Sequence, residues 1–246
     1  MAKEDIDNRK VRFSDAPWAK AIQHIVVGGV GGIGSWAAMY LARVGHNLYM
    51  YDMDTIDETN MGGQLYSIAQ IGRNKAVATK ENIHAFCGDD ANVTVYEKYT
   101  EESGMTTPVV FSCFDNMAAR KLMFEKWAAY DKRELFVDGR MLAEVGMVYV
   151  VQKGQEDAYL ETLFEDSEVE EAPCSFKSTS HCGALIGSLM ISGLNNYLAN
   201  KTQGNEDRWI PFKTDFALPM MYVAGEEVVE PTTEVTEETE EEVETV

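Results

Sequence analysis

Six residues, GVGGIG at positions 29–34, place the strongest constraint on how this chain can fold. The apolar run HIVVGG leads into them and shares Gly29 with them, and SWAAMYLARVG, which is rich in helix formers, follows them. In such a GxGxxG turn, Gly29 permits the tight turn, Gly31 lets a phosphate approach the backbone, and Gly34 lets helix and strand pack closely. With Gly32, these glycines predict a phosphate-binding loop at a helix N-terminus, whose free N–H groups face an anion. A glycine-rich turn without a ligand is the alternative.

Asp52 lies 18 positions after Gly34, at the end of a second predicted strand, NLYMYDMD. A carboxylate at this position can accept hydrogen bonds from both ribose hydroxyls of a nucleotide. We therefore predict that Asp52 binds ribose, and the alternative is an aspartate that only ends the strand. Asp54 is either a second ligand or a loop cap.

Strands and helices continue to alternate beyond this point. Strands are predicted at VTVYEKY, VVFSCF, ELFVDG and GMVYVVQ, and helices over about 73–86, 117–130 and 181–200. Alternation of this kind implies right-handed crossovers between parallel strands. The predicted fold is α/β and Rossmann-like, with a mainly parallel sheet and helices on both faces.

The remaining segments divide the chain into an arm, a domain and a tail. Residues 1–20 are mostly charged and are predicted to be an N-terminal arm, with Trp18 among its possible docking points. The domain is predicted to span residues 21–224 and to contain an irregular acidic loop at 154–180; loops of this length are usually functional or disordered.

Charge is distributed unevenly along the chain. Of a net charge of −20, half corresponds to residues 225–246, which hold ten Glu and no basic residue and are predicted to be a disordered acidic tail. The domain is acidic too, and a phosphate-binding surface needs clustered Lys and Arg, so neither nucleic acid nor a membrane is an expected partner. No apolar run approaches the roughly 18 residues of a membrane span, and the N-terminus is charged, so we expect a cytoplasmic protein.

Cysteine and histidine spacing gives no metal motif. Cys87, Cys113, Cys174 and Cys182 lack CxxC spacing, so reduced thiols are the default, and the four histidines share no ligand spacing.

Several motifs, in the same order, resemble the ThiF-type adenylyltransferases, the superfamily of ubiquitin-activating enzymes and their bacterial thiamine and molybdopterin relatives. They are DMDTIDETN followed by Gln64, Lys75 in IGRNKA, and DNMAAR after VVFSCF; SHCGALIGSLMISGLNNYLANK also looks like the family's late cysteine-plus-helix segment. The resemblance covers most of the chain. It implies that ATP and Mg²⁺ are used to adenylate a carboxylate, usually the C-terminus of a small β-grasp protein, with release of pyrophosphate.

The resemblance also implies roles for residues of the first motifs. Asp52 would bind ribose, and Asn60 and Gln64 would line the path of the phosphates and the substrate. Lys75 would contact the triphosphate as a catalytic residue. The alternative for Lys75 is a solvated helix lysine.

The DNMAAR motif supplies the metal ligand by the same resemblance. Asp115 would hold Mg²⁺ as a catalytic residue at the carboxyl end of a strand, and Asn116 would lie beside the nucleotide. The pair could also form a helix N-cap. Arg120 is a further candidate, with a surface helix residue as its alternative.

At one position the chain departs from the family. The family pattern Asn-Leu-x-Arg-Gln corresponds to NMGGQ at residues 60–64, so Gly63 replaces the phosphate-binding arginine. Loss of one preorganised donor weakens transition-state stabilisation by about 2 to 4 kcal/mol. Three explanations stay open: Arg73 substitutes, the Gly62–Gly63 N–H groups form an anion nest, or nucleotide binds without efficient turnover.

Relatives place a second arginine across a dimer interface from the N-terminal arm. RKVRF offers Arg9 and Arg12, of which Arg12 is the better candidate for this catalytic role. A charged flexible arm is the alternative. With the arginine acting across subunits, the protein would be a homodimer.

Some relatives pass the acyl group to a cysteine thiolate. Cys174 and Cys182 are the candidate thioester nucleophiles, because Lys177 and His181 could lower the pKa of a neighbouring thiol. Cys182 opens an apolar helix, where a buried structural role is the alternative, so Cys174 is preferred. Adenylation without a thioester is the simpler prediction.

The sequence thus predicts an ATP-dependent adenylyltransferase acting on a carboxylate, such as the C-terminus of a ubiquitin-like protein or a peptide. A modified nucleoside is also an acceptor within the class, although the acidic surface counts against tRNA. The alternatives are a catalytically weakened nucleotide-binding scaffold of the same fold and a dinucleotide oxidoreductase. The oxidoreductase would bind NAD and has no use for Lys75 and Asp115 at their positions.

Overall fold

The computed structural model describes residues 10–164 and 179–228, which build one eight-stranded sheet. Its strand order is β3-β2-β1-β4-β5-β6-β7-β8. Neighbouring strands from β3 to β5 pair in parallel, and β6, β7 and β8 extend the sheet with antiparallel pairs. The strands are β1 His24–Gly28, β2 Asn47–Tyr51, β3 Val93–Tyr96, β4 Val109–Ser112, β5 Leu135–Leu142, β6 Val145–Gln152, β7 Lys213–Ala217 and β8 Tyr222–Glu226.

Helices cover both faces of this sheet. Side chains of α1, α2 and α5 belong to one buried cluster, and side chains of α3 and α4 belong to a second cluster on the opposite face. The predicted Rossmann-like α/β class is therefore confirmed. The helices are α1 Gly34–Val44, α2 Lys75–Cys87, α3 Met117–Ala128, α4 Glu156–Leu160 and α5 Ser180–Gln203.

The central strands are apolar on both sides because both sides are covered. Along β1, Ile25 and Val27 point into the cluster with α1 and α5, while Val26 points into the cluster with α3. In β4, Phe111 and Val110 divide in the same way. Strands buried on both faces are near-continuous hydrophobic runs, which explains the apolar runs in the sequence.

Two predicted segments are corrected. The predicted tail from residue 225 begins too early, because Gly225 and Glu226 belong to β8 and pair with Thr214 and Lys213 of β7. Within the predicted irregular loop 154–180, residues 156–160 form α4. Residues 165–178 and 229–246 lie outside the described residues.

The described part of the N-terminal arm packs onto the domain. Residues 11–13 and 17–20 form short 3-10 turns, and the rings of Phe13 and Trp18 stack with centroids 5.5 Å apart. Trp18 also packs against the core cluster of α1 and α5, as a docking point should. Residues 1–9 lie outside the described part of the chain.

The strand order places the site. The connection after β1 leads to β2 on one side, while β4 lies on the other side of β1. Open α/β sheets bind ligands at such a reversal, outside the carboxyl ends of the strands. The glycine loop after β1, Asp52 after β2 and Asp115 after β4 all lie at this edge.

Candidate active site

The glycine loop has the backbone geometry that its sequence requires. Gly29 has φ of 78°, a conformation that residues with a side chain rarely adopt. A side chain at position 34 would overlap the Gly29 carbonyl oxygen, so this close turn needs glycine. Beside Gly31, the nearest atoms that a side chain would meet belong to Gln64, at 3.8 Å. The loop therefore leads directly into the N-terminus of α1, with one flank open except for the amide of Gln64.

Asp52 is bonded to the glycine loop. Its Oδ2 accepts a hydrogen bond from the Val30 N–H at 2.8 Å, and its Oδ1 accepts one from the Asp54 N–H at 2.9 Å. Burial raises the pKa of Asp52, and the two N–H bonds and Lys75 oppose that rise. A carboxylate has about four acceptor positions, so Asp52 retains capacity for the two ribose hydroxyls.

Lys75 begins α2 and is buried, with 8% of its surface exposed. Its Nζ donates to Asp54 Oδ2 at 2.9 Å, and the side chain of Asn74 donates to the backbone oxygens of Asp52 and Asp54. The alternative of a solvated lysine is therefore wrong. An ammonium group has three donors, so Lys75 can hold Asp54 and still donate to an anion, while Asp54 acts as its counter-ion.

The NMGGQ loop folds over the start of α1. Trp36 Nε1 donates to the Gly63 carbonyl at 3.4 Å, and the Leu65 N–H donates to Ser35 Oγ at 3.1 Å. The Oε1 atom of Gln64 is buried and has no hydrogen-bond partner among the described residues. The side chain of Asn60 accepts from the Asp57 N–H as part of a capping box.

The anion-nest explanation for the two glycines loses the N–H donor of Gly63. The N–H groups of Gly63 and Gln64 both donate to the Asn60 carbonyl, at 3.2 and 2.9 Å, and φ of Gly63 is −122°. A nest needs N–H groups that are free and converge on an anion. The explanation that Arg73 takes the place of the missing loop arginine is also disfavoured, because the Arg73 guanidinium is paired with Glu81 on the exposed side of α2.

Tyr66 is a site residue that the sequence analysis missed. Its hydroxyl donates to the Val30 carbonyl at 2.5 Å and is 3.1 Å from Thr79 Oγ1. Burial raises the pKa of Tyr66, so the hydroxyl remains a donor. Tyr66 thus ties the glycine loop to α2. A tyrosine two positions after the family's Gln position, here Gln64, was the available signal.

Asp115 and Asn116 lie after β4, and both are exposed. Asn116 caps α3, because its Oδ1 accepts from the Ala119 N–H at 2.8 Å. Its Nδ2 donates to Asp115 Oδ1 at 3.3 Å. The N-cap interpretation therefore holds for Asn116, while the Asp115 carboxylate is open to solvent.

Arg120 is not a surface helix residue. Only 4% of its surface is exposed, and its guanidinium donates to Asp138 Oδ1 on β5 and to the Phe114 carbonyl, directly before Asp115. Asp138 also accepts from Arg140. The charged pair in the otherwise apolar strand LFVDGRML was the signal for this contact, because a buried charge needs a partner.

The predicted thiols differ in accessibility. Cys182 is buried in α5, and burial together with Glu144 raises its pKa to about 11, which argues against a thiolate nucleophile. Cys174 lies outside the described residues. Burial also raises the pKa of Cys113. Arg12 is exposed in the 3-10 turn of residues 11–13.

The start of α5 approaches the glycine loop. A side chain at position 183 would overlap the Gly32 carbonyl oxygen, and one at position 187 would lie 3.1 Å from the Ala37 nitrogen. His181, also in this first turn, lies 3.4 Å from Glu144 of the β5–β6 turn. The segment after residue 178 therefore returns the chain to the glycine loop and the start of α1.

Two cavities lie elsewhere on the described surface. One of about 300 Å³ lies beside Tyr149, Thr162 and Lys213, and one of about 400 Å³ lies beside Arg43 and His46. Neither includes a predicted nucleotide ligand. The described residues contain no cluster of three His, Cys, Asp or Glu side chains suited to a metal, and none of their helices has the length and apolar character to cross a membrane.

Fold and site together define an α/β protein of the Rossmann-like class with a glycine loop, an aspartate bonded to that loop and a buried lysine at one sheet edge. Comparison with known sequences is more specific. The model of the ThiF family matches residues 18–228, and the chain belongs to that family.

Relatives share parts of this sequence. "Adenylyltransferase and sulfurtransferase MOCS3" of Drosophila grimshawi is 25% identical over 193 residues, covering 72% of this chain and 42% of the relative. "Ubiquitin-like modifier-activating enzyme 5" of Dictyostelium discoideum is 29% identical, covering 39% and 30%. "tRNA threonylcarbamoyladenosine dehydratase" of Escherichia coli is 37% identical over 78 residues, covering 31% and 29%. The match spans less than half the length of each of these relatives.

Solved structures share the fold. E. coli MccB with ATP superposes with a TM-score of 0.69 at 14% identity, covering 91% of this chain and 73% of MccB. PaaA superposes with a TM-score of 0.68 at 17% identity, covering 92% and 74%.

Proposed function

We propose that the protein is an ATP-dependent adenylyltransferase that activates a carboxylate as an acyl-adenylate. One observation carries this proposal: the buried Lys75 is held by Asp54 beside the ribose-type Asp52, across the strand reversal from the exposed Asp115. A hydride-transfer enzyme needs no buried lysine or exposed carboxylate at these two strand ends. Relatives named as an adenylyltransferase and as a modifier-activating enzyme support the same activity.

The reaction joins a carboxylate oxygen to the α-phosphorus of ATP and breaks the bond from that phosphorus to the bridging oxygen, so pyrophosphate leaves. Both reactants are anions, so the protein must supply positive charge and orientation. Asp52 binds the ribose, the N-terminus of α1 faces the phosphates, and Lys75 donates to the triphosphate. Gln64 presents beside the glycine loop an amide oxygen that no described residue bonds.

Asp115 fits the predicted magnesium ion. Its carboxylate is exposed at the strand end, and Mg²⁺ is commonly held by one or two carboxylates together with substrate phosphates. When bound, the ion neutralises phosphate charge. Asn116 keeps α3 capped and donates to the same carboxylate.

Gly63 leaves the loop without the arginine expected there, and the described contacts of Arg73 offer no replacement. We infer that Arg12 of a second subunit supplies the missing charge, which makes the enzyme a homodimer. The test is to mix the two single variants Arg12→Ala and Asp115→Ala, each of which should retain about a hundredth of the wild-type activity or less when alone. Mixed dimers contain one intact site, so random mixing should restore about a quarter of the wild-type activity. If mixing restores no activity, Arg12 does not act across subunits.

The acceptor is proposed to be the C-terminal carboxylate of a ubiquitin-like protein or a peptide. We propose adenylation without a thioester: Cys182 is buried, and the wild-type protein incubated with ATP and the acceptor should carry no acyl group on Cys174, which a Cys174→Ser variant checks. The test of the function is exchange of labelled pyrophosphate into ATP in the presence of candidate proteins and peptides. The matched control is the same acceptor with an amidated C-terminus, which cannot be adenylated.

Exchange with the free carboxylate, and none with the amide, is the expected result. Exchange stimulated by an RNA-borne carboxylate would keep adenylation and overturn the protein or peptide acceptor. ATP binding without exchange for any acceptor would favour the catalytically weakened scaffold.

A further inference from the structure

A buried group of charges lies beneath the loop that carries Asp115. Asp138 of β5 is fully buried and accepts from Arg120 of α3, from Arg140 Nε at 2.8 Å and from the Tyr159 hydroxyl at 3.0 Å. We call Arg120, Asp138 and Arg140 the buried triad. Burial disfavours the charge of the Arg140 guanidinium, but the Asp138 carboxylate beside it raises the pKa of Arg140.

One end of the buried triad holds the loop after β4. Arg120 donates to the carbonyl of Phe114, which directly precedes Asp115, and to the Gly139 carbonyl at 3.2 Å. The same guanidinium therefore joins the β4–α3 loop to β5. Asp115 itself is exposed, and the carbonyl of the preceding residue is the point at which its loop is bonded to the buried triad.

The other end of the buried triad reaches the segment after β6. Arg140 Nη1 donates to the Thr162 carbonyl at 2.8 Å, and Nη2 donates to Thr162 Oγ1 at 2.9 Å. The guanidinium also lies over the ring of Tyr149, 4.4 Å from its centroid. Thr162 follows α4 and precedes residues 165–178. Asp138, which both arginines contact, connects the two ends.

We propose that Arg120 is a positioning residue for Asp115, and that the buried triad couples the Asp115 loop to Thr162. This proposal rests on the proposed function, since it assigns Asp115 to the metal of bound ATP. A planar guanidinium can hold the Phe114 carbonyl and Asp138 at the same time because its donors diverge in a fixed fork. A lysine has the charge without the fork and cannot span both acceptors.

The experiment compares Arg120→Lys and Thr162→Val with the wild-type chain. Arg120→Lys keeps a positive charge against Asp138, and Thr162→Val removes one acceptor of Arg140 at a partly exposed position without leaving a buried charge unpaired. The matched control is Arg133→Lys, which alters an ion pair with Glu156 near α4 that is not part of the buried triad. Two quantities are measured: amide hydrogen exchange of residues 113–117 without ligand, and the Mg²⁺ concentration for half-maximal ATP binding.

Arg120→Lys should speed exchange in residues 113–117 and raise the required Mg²⁺ concentration about tenfold, the scale of losing a residue that orients a metal ligand. Thr162→Val should raise it about threefold, within the range of couplings carried by packed networks. Arg133→Lys should change neither quantity.

An unchanged Mg²⁺ requirement in a folded Arg120→Lys variant would overturn the positioning role while leaving the proposed function intact. If Arg120→Lys does not fold, Thr162→Val decides, and its unchanged Mg²⁺ requirement overturns the coupling. Failure of the wild-type chain to bind ATP would overturn the proposed function together with this proposal.

Discussion

Asp52 and Asp115 both follow strands of the parallel half of the sheet, but the protein surrounds them differently. Asp52 is held directly, by N–H groups of the glycine loop and of Asp54. Asp115 is exposed, and the nearest buried contact is one residue earlier, where Arg120 holds the Phe114 carbonyl.

This difference matches the different demands of the two predicted ligands. A ribose needs a carboxylate at a fixed place, so Asp52 can be built into the backbone of the site. A magnesium ion arrives with the phosphates and keeps several of its waters, so the carboxylate that binds it must be accessible to solvent. The position of that carboxylate then has to be fixed by buried residues below the loop. The buried triad supplies that support at the cost of placing charges in the core.

The largest predicted effect is a loss of stability when the buried triad is broken. Asp138→Ala should lower the free energy of unfolding by about 3 to 5 kcal/mol, because two buried guanidinium groups lose their carboxylate. Urea unfolding measures the change. Glu134→Gln, which removes an exposed pair with Lys201, is the control and should cost at most about 1 kcal/mol. Equal effects of the two variants would mean that the triad is not a support.

Removing the Asp115 carboxylate should lower activity and leave stability unchanged. Asp115→Ala is expected to slow adenylation about a hundredfold, the scale of losing one preorganised charge at the reacting phosphates. Its free energy of unfolding should stay within about 0.5 kcal/mol of wild type, as for most exposed positions. Pyrophosphate exchange and urea unfolding test the pair of expectations. A destabilised Asp115→Ala protein would contradict the indirect support inferred for this residue.

Lowering the pH should reduce the stability of the folded protein through a residue remote from Asp52 and Asp115. His46 is buried, its Nδ1 accepts the Gln23 N–H, and burial, with Lys10, lowers its pKa from 6.5 to about 4. The unfolded chain therefore binds a proton that the folded chain does not, so stability is present above pH 6.5 and is lost as pH falls toward 4. At pH 5 the loss is about 2 kcal/mol. It should be absent in His46→Gln, and a variant as acid-sensitive as wild type would contradict the assignment.

The smallest effect is expected at Asp52, and it should combine stability with binding. An asparagine offers one acceptor oxygen where the aspartate accepts two N–H bonds, so Asp52→Asn should cost about 1.5 kcal/mol of stability. ATP affinity should fall as well, because the ribose loses its carboxylate. A variant with weaker binding and unchanged stability would make Asp52 resemble Asp115 and remove the contrast between them.

Sequence patterns revealed one half of the sheet better than the other. Apolar runs and glycine spacing identified the strands and helices through β6, because elements buried on both faces leave strong signals. The stretch that forms β7 and β8, WIPFKTDFALPMMYV with the residues after it, has no such pattern. These strands lie at the antiparallel edge, where Met221 and Val223 remain exposed. Strands with solvent on one face lack the near-continuous apolar run that marks strands buried on both faces.

At the site, the sequence identified ligand types but not their partners. Motif order placed Asp52, Lys75 and Asp115, whereas the burial of Lys75 against Asp54 depends on how the β2–α2 loop folds back. The same limit applies to Tyr66 and to the buried triad, whose members come from α3 and β5. Such contacts are set by tertiary packing, which local spacing does not report.

The central claim is that this sheet edge binds ATP with magnesium for adenylyl transfer. Equilibrium binding of ATP with Mg²⁺, with NAD as competitor, tests it most directly when repeated on Asp52→Ala and Asp115→Ala. We predict binding that NAD does not displace, that Asp52→Ala weakens with and without Mg²⁺, and that Asp115→Ala weakens only when Mg²⁺ is present. A folded wild-type protein that binds no ATP, or that prefers NAD, would contradict the claim.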